Sequence, residues 1–229
     1  MCGIAGIFQL NGNTVSEEQI RKMTRTLAHR GPDGEEVFIE QNLALGHRRL
    51  AILDISPSGK QPMYSKNGEW IIVFNGCIYN FKELKKELVT KGHQFVSTGD
   101  TEVIVEGLSE YGPSFFERLD GMFGIGAWNT KSKELCLSRD RFGVKPLYYY
   151  LSKGTFLFAS EIKAFFTQPS FSISLNNFAL NEYFTFQNQF TYQTLFEGVY
   201  MLPQANTVCI NTSTSEIVHH SWWDYDFSH

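Results

Sequence analysis

The first eight residues, Met1-Cys2-Gly3-Ile4-Ala5-Gly6-Ile7-Phe8, restrict the fold more than any other stretch of the chain. Their apolar residues run without alternation and stop at Asn11-Gly12-Asn13, which predicts a strand over Gly3 to Leu10 buried on both faces. Such a strand anchors the amino end of the chain to a sheet. Cys2 follows the initiator methionine and precedes Gly3, so it is small enough for Met1 to be trimmed, leaving a thiol and a free α-amine on one residue. The α-amine has a reference pKa of about 7.7–8.0 and the thiol one of about 8.5, so the first can take the proton of the second near neutral pH. That is a nucleophile with its own base. The plainer alternative is that Cys2 is a small buried hydrophobe.

At 229 residues, the chain fits one large domain with a single layered core. Hydrophobic residues make up 42% and aromatics 15%, enough to fill that core and to exclude a disordered composition. The net charge is −4 and the lysines and arginines are scattered singly, which argues against nucleic acid and against a polybasic membrane contact. No run approaches the roughly 20 apolar residues of a membrane span, and the start lacks the basic region of a signal peptide. The four cysteines, Cys2, Cys77, Cys136 and Cys209, form no CxxC pair. Neither a metal site nor a disulfide framework is expected from them, and reduced thiols in a cytoplasmic protein are.

Along the chain, Ser16 with Gln19 forms a capping box for a helix to about Ala28, with Ile20, Met23 and Leu27 on one face. Pro32 and its flanking glycines make His29–Gly34 a loop, and strands follow at Glu36–Glu40 and Leu43–His47. The pair Arg48-Arg49 ends that strand, beside a short apolar strand over Leu50–Asp54; an arginine fork there is either solvated or fixes a carboxylate. Trp70–Phe74 is a buried strand that ends at Asn75-Gly76, which is either a turn or, as a side-chain amide next to a backbone N–H, an oxyanion hole. A helix is expected from Phe81 to about Lys91, a strand from Phe95 ending at Gly99-Asp100, and a helix through about Tyr111 for which Asp100 is a candidate N-cap. Beyond it lie a short helix at Phe115–Leu119 and strands at Gly121–Trp128, Glu134–Arg139, Leu147–Leu151 and Thr155–Ala159. The rigid charged loop Asp140–Pro146 separates two of these. Helices at Glu161–Phe166 and Leu175–Phe184, a strand pair at Leu195–Val199 and Asn206–Ile210, and an aromatic exit at Trp222–Phe227 complete the reading.

Taken in order, Met1-Cys2-Gly3-Ile4, His29-Arg-Gly-Pro-Asp33, Gly46-His-Arg-Arg49-Leu-Ala-Ile52, Phe74-Asn75-Gly76, Ser97-Thr-Gly-Asp100-Thr-Glu-Val103 and Ser138–Tyr149 with Ala159–Lys163 resemble class II glutamine amidotransferase domains. Within that class, Arg141-Phe-Gly-Val-Lys145-Pro-Leu-Tyr148 is similar to the glutamine-hydrolysing half of asparagine synthetase. The resemblance covers nearly the whole chain, 1–229. It implies the N-terminal nucleophile hydrolase fold, an α+β four-layer αββα sandwich of two antiparallel sheets. It also implies that Cys2 attacks the side-chain amide of L-glutamine with its α-amine as base, and that Asn75 and the N–H of Gly76 hold the oxyanion. Arg49 would pair with the substrate carboxylate, Leu50, Ala51, Ile52 and Leu53 would line the pocket, and Asp100 would hold the α-ammonium, with Cys77 beside it.

The same resemblance implies no cofactor and no metal for this domain. ATP and magnesium belong to a C-terminal synthetase (ATP-pyrophosphatase) domain that is absent here, since no Ser-Gly-Gly-x-Asp-Ser loop occurs. The chain therefore reads as the N-terminal part of a longer ligase of asparagine biosynthesis, with a homodimer left open. Two departures stand out: Cys77 replaces the glutamate of Asn-Gly-Glu-Ile-Tyr, and Leu202-Pro203-Gln204-Ala205-Asn206 replaces Leu-Pro-Pro-Gly-His. Cys77 keeps two alternatives in view, an N-terminal nucleophile amidase for a different amide and a non-catalytic amino-acid-binding regulatory domain.

Overall fold

The computed structural model describes residues 1–211 and 217–226. Phe227, the last residue of the expected aromatic exit, lies outside them. In chain order the elements are β1 (Gly3–Gln9), α1 (Glu17–Thr26), β2 (Gly34–Glu40), β3 (Leu43–Arg49), β4 (Met63–Tyr64) and β5 (Trp70–Ile78). Next come α2 (Phe81–Thr90), α3 (Thr101–Tyr111), β6 (Gly121–Asn129), β7 (Glu134–Arg139), β8 (Tyr148–Ser152) and β9 (Thr155–Ala159). The chain closes with α4 (Asn177–Phe186), β10 (Val199–Met201), β11 (Asn206–Asn211) and β12 (Ile217–Ser221). Short 3-10 turns cover Pro57–Gly59, Gly112–Arg118 and Ile162–Thr167, the last two where short helices are expected from the sequence.

The strands form two six-stranded sheets whose paired strands are all antiparallel, ordered β10-β8-β9-β1-β3-β2 and β12-β11-β7-β6-β5-β4. Strand alternation then builds the layers. Ile4 and Phe8 of β1, Leu43 and Leu45 of β3, and Ile71 and Val73 of β5 point between the sheets, where Trp128, Leu137, Phe158 and Val208 join them. On the outer face of the first sheet, Ala5 and Ile7 meet Ile20, Met23 and Leu27 of the α1 segment. On the outer face of the second, Ile72, Phe74 and Ile125 meet Leu84 and Leu88 of α2 and Val103, Ile104 and Leu108 of α3. This is the expected αββα sandwich. Gly6 makes room for the Phe158 ring of the neighbouring strand β9 to lie across it between the sheets: a Cβ there would lie 2.0 Å from that ring.

Local signals for α1 hold, with Ser16 and Gln19 forming a reciprocal capping box. Where the structure departs from expectation, a longer-range partner has overridden the local signal. β5 does not turn at Asn75-Gly76, because β6 pairs with it in unbroken register from Trp70↔Asn129 to Ile78↔Gly121. No strand forms at Phe95–Gly99: the N–H groups of Val96 and Ser97 donate to the Glu102 carboxylate at 2.9 and 2.7 Å, so they have no ladder to join. Leu50–Asp54 is loop as well, with Ile52 and Leu53 exposed. The expected strand at Leu195–Val199 shifts to Val199–Met201, where β8 receives it. At the second departure from the family pattern, Ala205 is buried with φ +51°, a left-handed backbone that favours the glycine usual there.

The expectation of four free thiols is corrected. Antiparallel pairing of β7 with β11 sets Cys136 directly opposite Cys209, and the two form a cross-strand disulfide. A 73-residue separation gives no spacing signal, so the register alone brings them together. Cys2 and Cys77 remain free.

Candidate active site

The inward rows that fill the core also end in polar residues, all at one edge of the sandwich. Continuing the row Ile4-Phe8 backwards reaches Cys2; Leu43-Leu45 continues to His47 and Arg49; Ile71-Val73 continues to Asn75 and Cys77. These residues, with Asp100 and the loop from Leu50 to Leu53, line a cavity of about 310 Å³.

The start of the chain is held firmly. Arg30 donates through Nε to the carbonyl of Cys2 at 2.9 Å and is itself paired with Glu161 at 2.9 Å. The Cys2 sulfur lies 3.4 Å from the N–H of Leu50, which donates to it, and 3.6 Å from the Leu50 carbonyl. Burial pushes the thiol above its usual pKa, while the Leu50 N–H, the amino terminus, Arg49 and Arg30 oppose that shift. A thiol so placed stays protonated near neutrality and needs a base to become a nucleophile.

Asn75 is 1% exposed, and its Nδ2 has no hydrogen-bond acceptor among the described residues. A buried donor left without a partner costs about 1–3 kcal/mol, so a side chain kept in this state is placed to donate to a ligand. Gly76 leaves no room for a side chain: a Cβ would lie 2.1 Å from the carbonyl oxygen of Met122.

Arg49 donates through Nη2 to the carbonyls of Asp54 and, at 3.0 Å, of Ser56. It forms no ion pair among the described residues, so its charge remains available in the cavity wall. Asp54 anchors this loop by accepting from the Ser56 hydroxyl, the Thr98 N–H and the Ser56 N–H, which hold its carboxyl well below the usual range. Asp100 occupies the position before α3 but does not cap it. Its carboxylate instead accepts from the Ile78 N–H at 2.9 Å; burial raises its pKa and that bond opposes the rise. Cys77 is half-buried, and its thiol is pushed up by burial and by Asp100, with Lys145 acting the other way.

Four wall residues have no role assigned to them from the sequence, three of them although they stand within the quoted motifs. His47 is buried and neutral, its pKa lowered to about 3 by burial, and its Nε2 has no partner among the described residues. The alternation Leu43-Leu45-His47-Arg49 is the signal that could have found it. Gln61 accepts from the Phe74 N–H at 2.6 Å and steadies β5 beside Asn75. Ser97 keeps a buried hydroxyl with no partner among the described residues, and Lys145 comes from the charged loop before β8.

Residues 1–223 match the family described as "Glutamine amidotransferase domain". Among similar chains, asparagine synthetase [glutamine-hydrolyzing] 3 of Bacillus subtilis is 40% identical over 187 residues, covering 80% of this chain and 30% of that protein. The amidase chry2 of Gibberella zeae is 32% identical over 244 residues, covering 99% of this chain and 35% of that one. The chain thus spans about a third of the length of these relatives. The glutamine phosphoribosylpyrophosphate amidotransferase of Bacillus subtilis shares the fold, with a TM-score of 0.70 at 18% identity over 98% of this chain and 50% of that one.

Proposed function

The chain belongs to the class II glutamine amidotransferase domain family, and on that footing we propose that it hydrolyses L-glutamine to glutamate and ammonia with Cys2 as nucleophile. The observation that carries this reading is the meeting, in one cavity, of a thiol, a buried amide nitrogen with no acceptor among the described residues, a guanidinium with no ion pair among them, and a buried carboxylate. Removal of Met1 exposes the α-amine of Cys2, which accepts the thiol proton and later delivers it to the leaving ammonia. The amide carbonyl oxygen becomes an oxyanion held by the Asn75 amide and the Gly76 N–H. Arg49 takes the α-carboxylate, Asp100 the α-ammonium, and Leu50, Ala51, Ile52 and Leu53 form the mouth, with Cys77 at the amine end. These steps use no metal or cofactor.

The relatives named asparagine synthetases are longer chains, and we place this domain as the N-terminal glutaminase of such an asparagine synthetase-like ligase, passing ammonia to an ATP-dependent synthetase domain. A second reading, hydrolysis of a different amide, is favoured by Cys77, which leaves Asp100 without a second carboxylate. Measuring glutamate or ammonia release from glutamine, asparagine and simple aliphatic amides separates the two. Glutamine should be the best of the three; preference for another amide would displace the first reading.

Cys77→Glu is expected to lower the Michaelis constant for glutamine about ten- to a hundredfold with turnover nearly unchanged. A charge-assisted hydrogen bond to the ammonium contributes about 1.5–3 kcal/mol, and it acts on ground and transition states alike. Steady-state kinetics showing an unchanged or higher Michaelis constant would mean that the amine end of the pocket serves another group.

A further inference from the structure

We infer that Lys145 is a specificity-determining residue that reads the charge at the amine end of the pocket, an inference that rests on the amide hydrolysis proposed above. Lys145 is 6% exposed and lines the same cavity as Cys2, Cys77 and Asp100. Its ammonium has one side-chain partner among the described residues, the Met1 sulfur at 3.2 Å. A thioether is a weak acceptor, and it leaves with Met1. No carboxylate among the described residues forms an ion pair with Lys145. A buried ammonium in that condition faces whatever enters the cavity.

The backbone that carries Lys145 is fixed. Arg139 donates to the carbonyl of Lys145 at 2.7 Å and to that of Leu202 at 2.7 Å. The fully buried Asp140 carboxylate accepts from the N–H groups of Val144 at 2.9 Å and Lys145 at 3.0 Å. The same Asp140 carboxylate accepts from the Phe123 N–H at 3.1 Å, Phe123 pairs with Gly76 across β5 and β6, and the Ile78 N–H donates to Asp100 at 2.9 Å, so Lys145, Cys77 and Asp100 are held around one stretch of β5 in the cavity wall. Asp54, the other acid of the wall, is occupied by Ser56, Ser58 and Thr98. The amine end therefore presents one carboxylate and one ammonium, whose charges cancel, with a thiol where a second acid would leave the net negative charge that an α-ammonium needs. An incoming α-ammonium is attracted by Asp100 and repelled by Lys145. A γ-amide with no charge at the α-carbon meets no such opposition, so Lys145 shifts preference from amino acids towards deaminated or N-acylated γ-amides.

The test compares L-glutamine with glutaric acid monoamide, which lacks only the α-amine, in Met1-free protein. Lys145→Met is expected to raise the preference for glutamine, as a ratio of kcat/KM values, about tenfold, the size of a like-charge repulsion removed from a partly buried site. Lys145→Arg keeps the charge and should keep the wild-type ratio. Calorimetric binding of the two amides to Cys2→Ala and to Cys2→Ala with Lys145→Met should shift in the same sense. That arm does not depend on turnover, so a wild-type protein that hydrolyses neither amide would overturn the proposed reaction while binding still decides the role of Lys145. An unchanged ratio in Lys145→Met, or an equal loss for both amides, would overturn the inference.

Discussion

Cys2→Ala is expected to reduce glutamine hydrolysis to the background rate while leaving the fold intact. The variant removes the sulfur that the Leu50 N–H contacts at 3.4 Å, and no other nucleophilic side chain at that edge of the cavity has an α-amine available to it. Cys77 does not substitute, because burial and Asp100 both hold its thiol protonated and it has no built-in base. Stability should change little. Cys2 precedes β1 and is only partly buried, and the Arg30 bond that secures the chain start goes to its backbone carbonyl, which alanine retains. Purified Cys2→Ala with a wild-type melting temperature and no glutamate release is the predicted pair of results. Residual turnover above background would remove Cys2 from the role of nucleophile.

Asn75→Ala should lower kcat by roughly 100- to 1000-fold, or about 2.7–4 kcal/mol, with a Michaelis constant close to that of the wild type. The oxyanion exists only at and around the transition state, so its donor contributes little to ground-state binding. The structure makes this variant informative. Nδ2 of Asn75 has no acceptor among the described residues, so its removal breaks no hydrogen bond to any of them. Asn75 also lies inside β5, opposite Gly124, where alanine fits the strand. Steady-state kinetics with a normal kcat would assign the orphaned amide to another purpose.

How far the sequence disclosed this arrangement depended on the range of the interactions involved. β1 and α1 could be read locally, one from an unbroken apolar run and the other from a capping box four residues wide. The Asn75-Gly76 signal is equally local but points to a turn, and the partner that overrides it, β6, lies more than forty residues away. The strand expected at Phe95 failed because one side chain, Glu102, takes the N–H groups a ladder would need. Cys136 and Cys209 each look like isolated thiols until β7 and β11 are placed side by side. In the site, Cys2, Arg49, Asn75, Cys77 and Asp100 stand out in sequence as motif residues, and the stacking of two sheets brings them to one edge. His47 was within reach of the period-two alternation. Lys145 stands in a motif, but its place in the cavity wall does not follow from the sequence, because Arg139 and Asp140 fix its backbone through contacts that no spacing reveals.

The central claim is that Cys2 acts only once its own α-amine is free, and the intact mass of the protein measured alongside its glutaminase rate tests this most directly. Preparations with different fractions of retained Met1 should show a rate proportional to the Met1-free fraction, extrapolating to zero where every chain keeps Met1. Full activity in protein whose mass shows Met1 in place would contradict the claim.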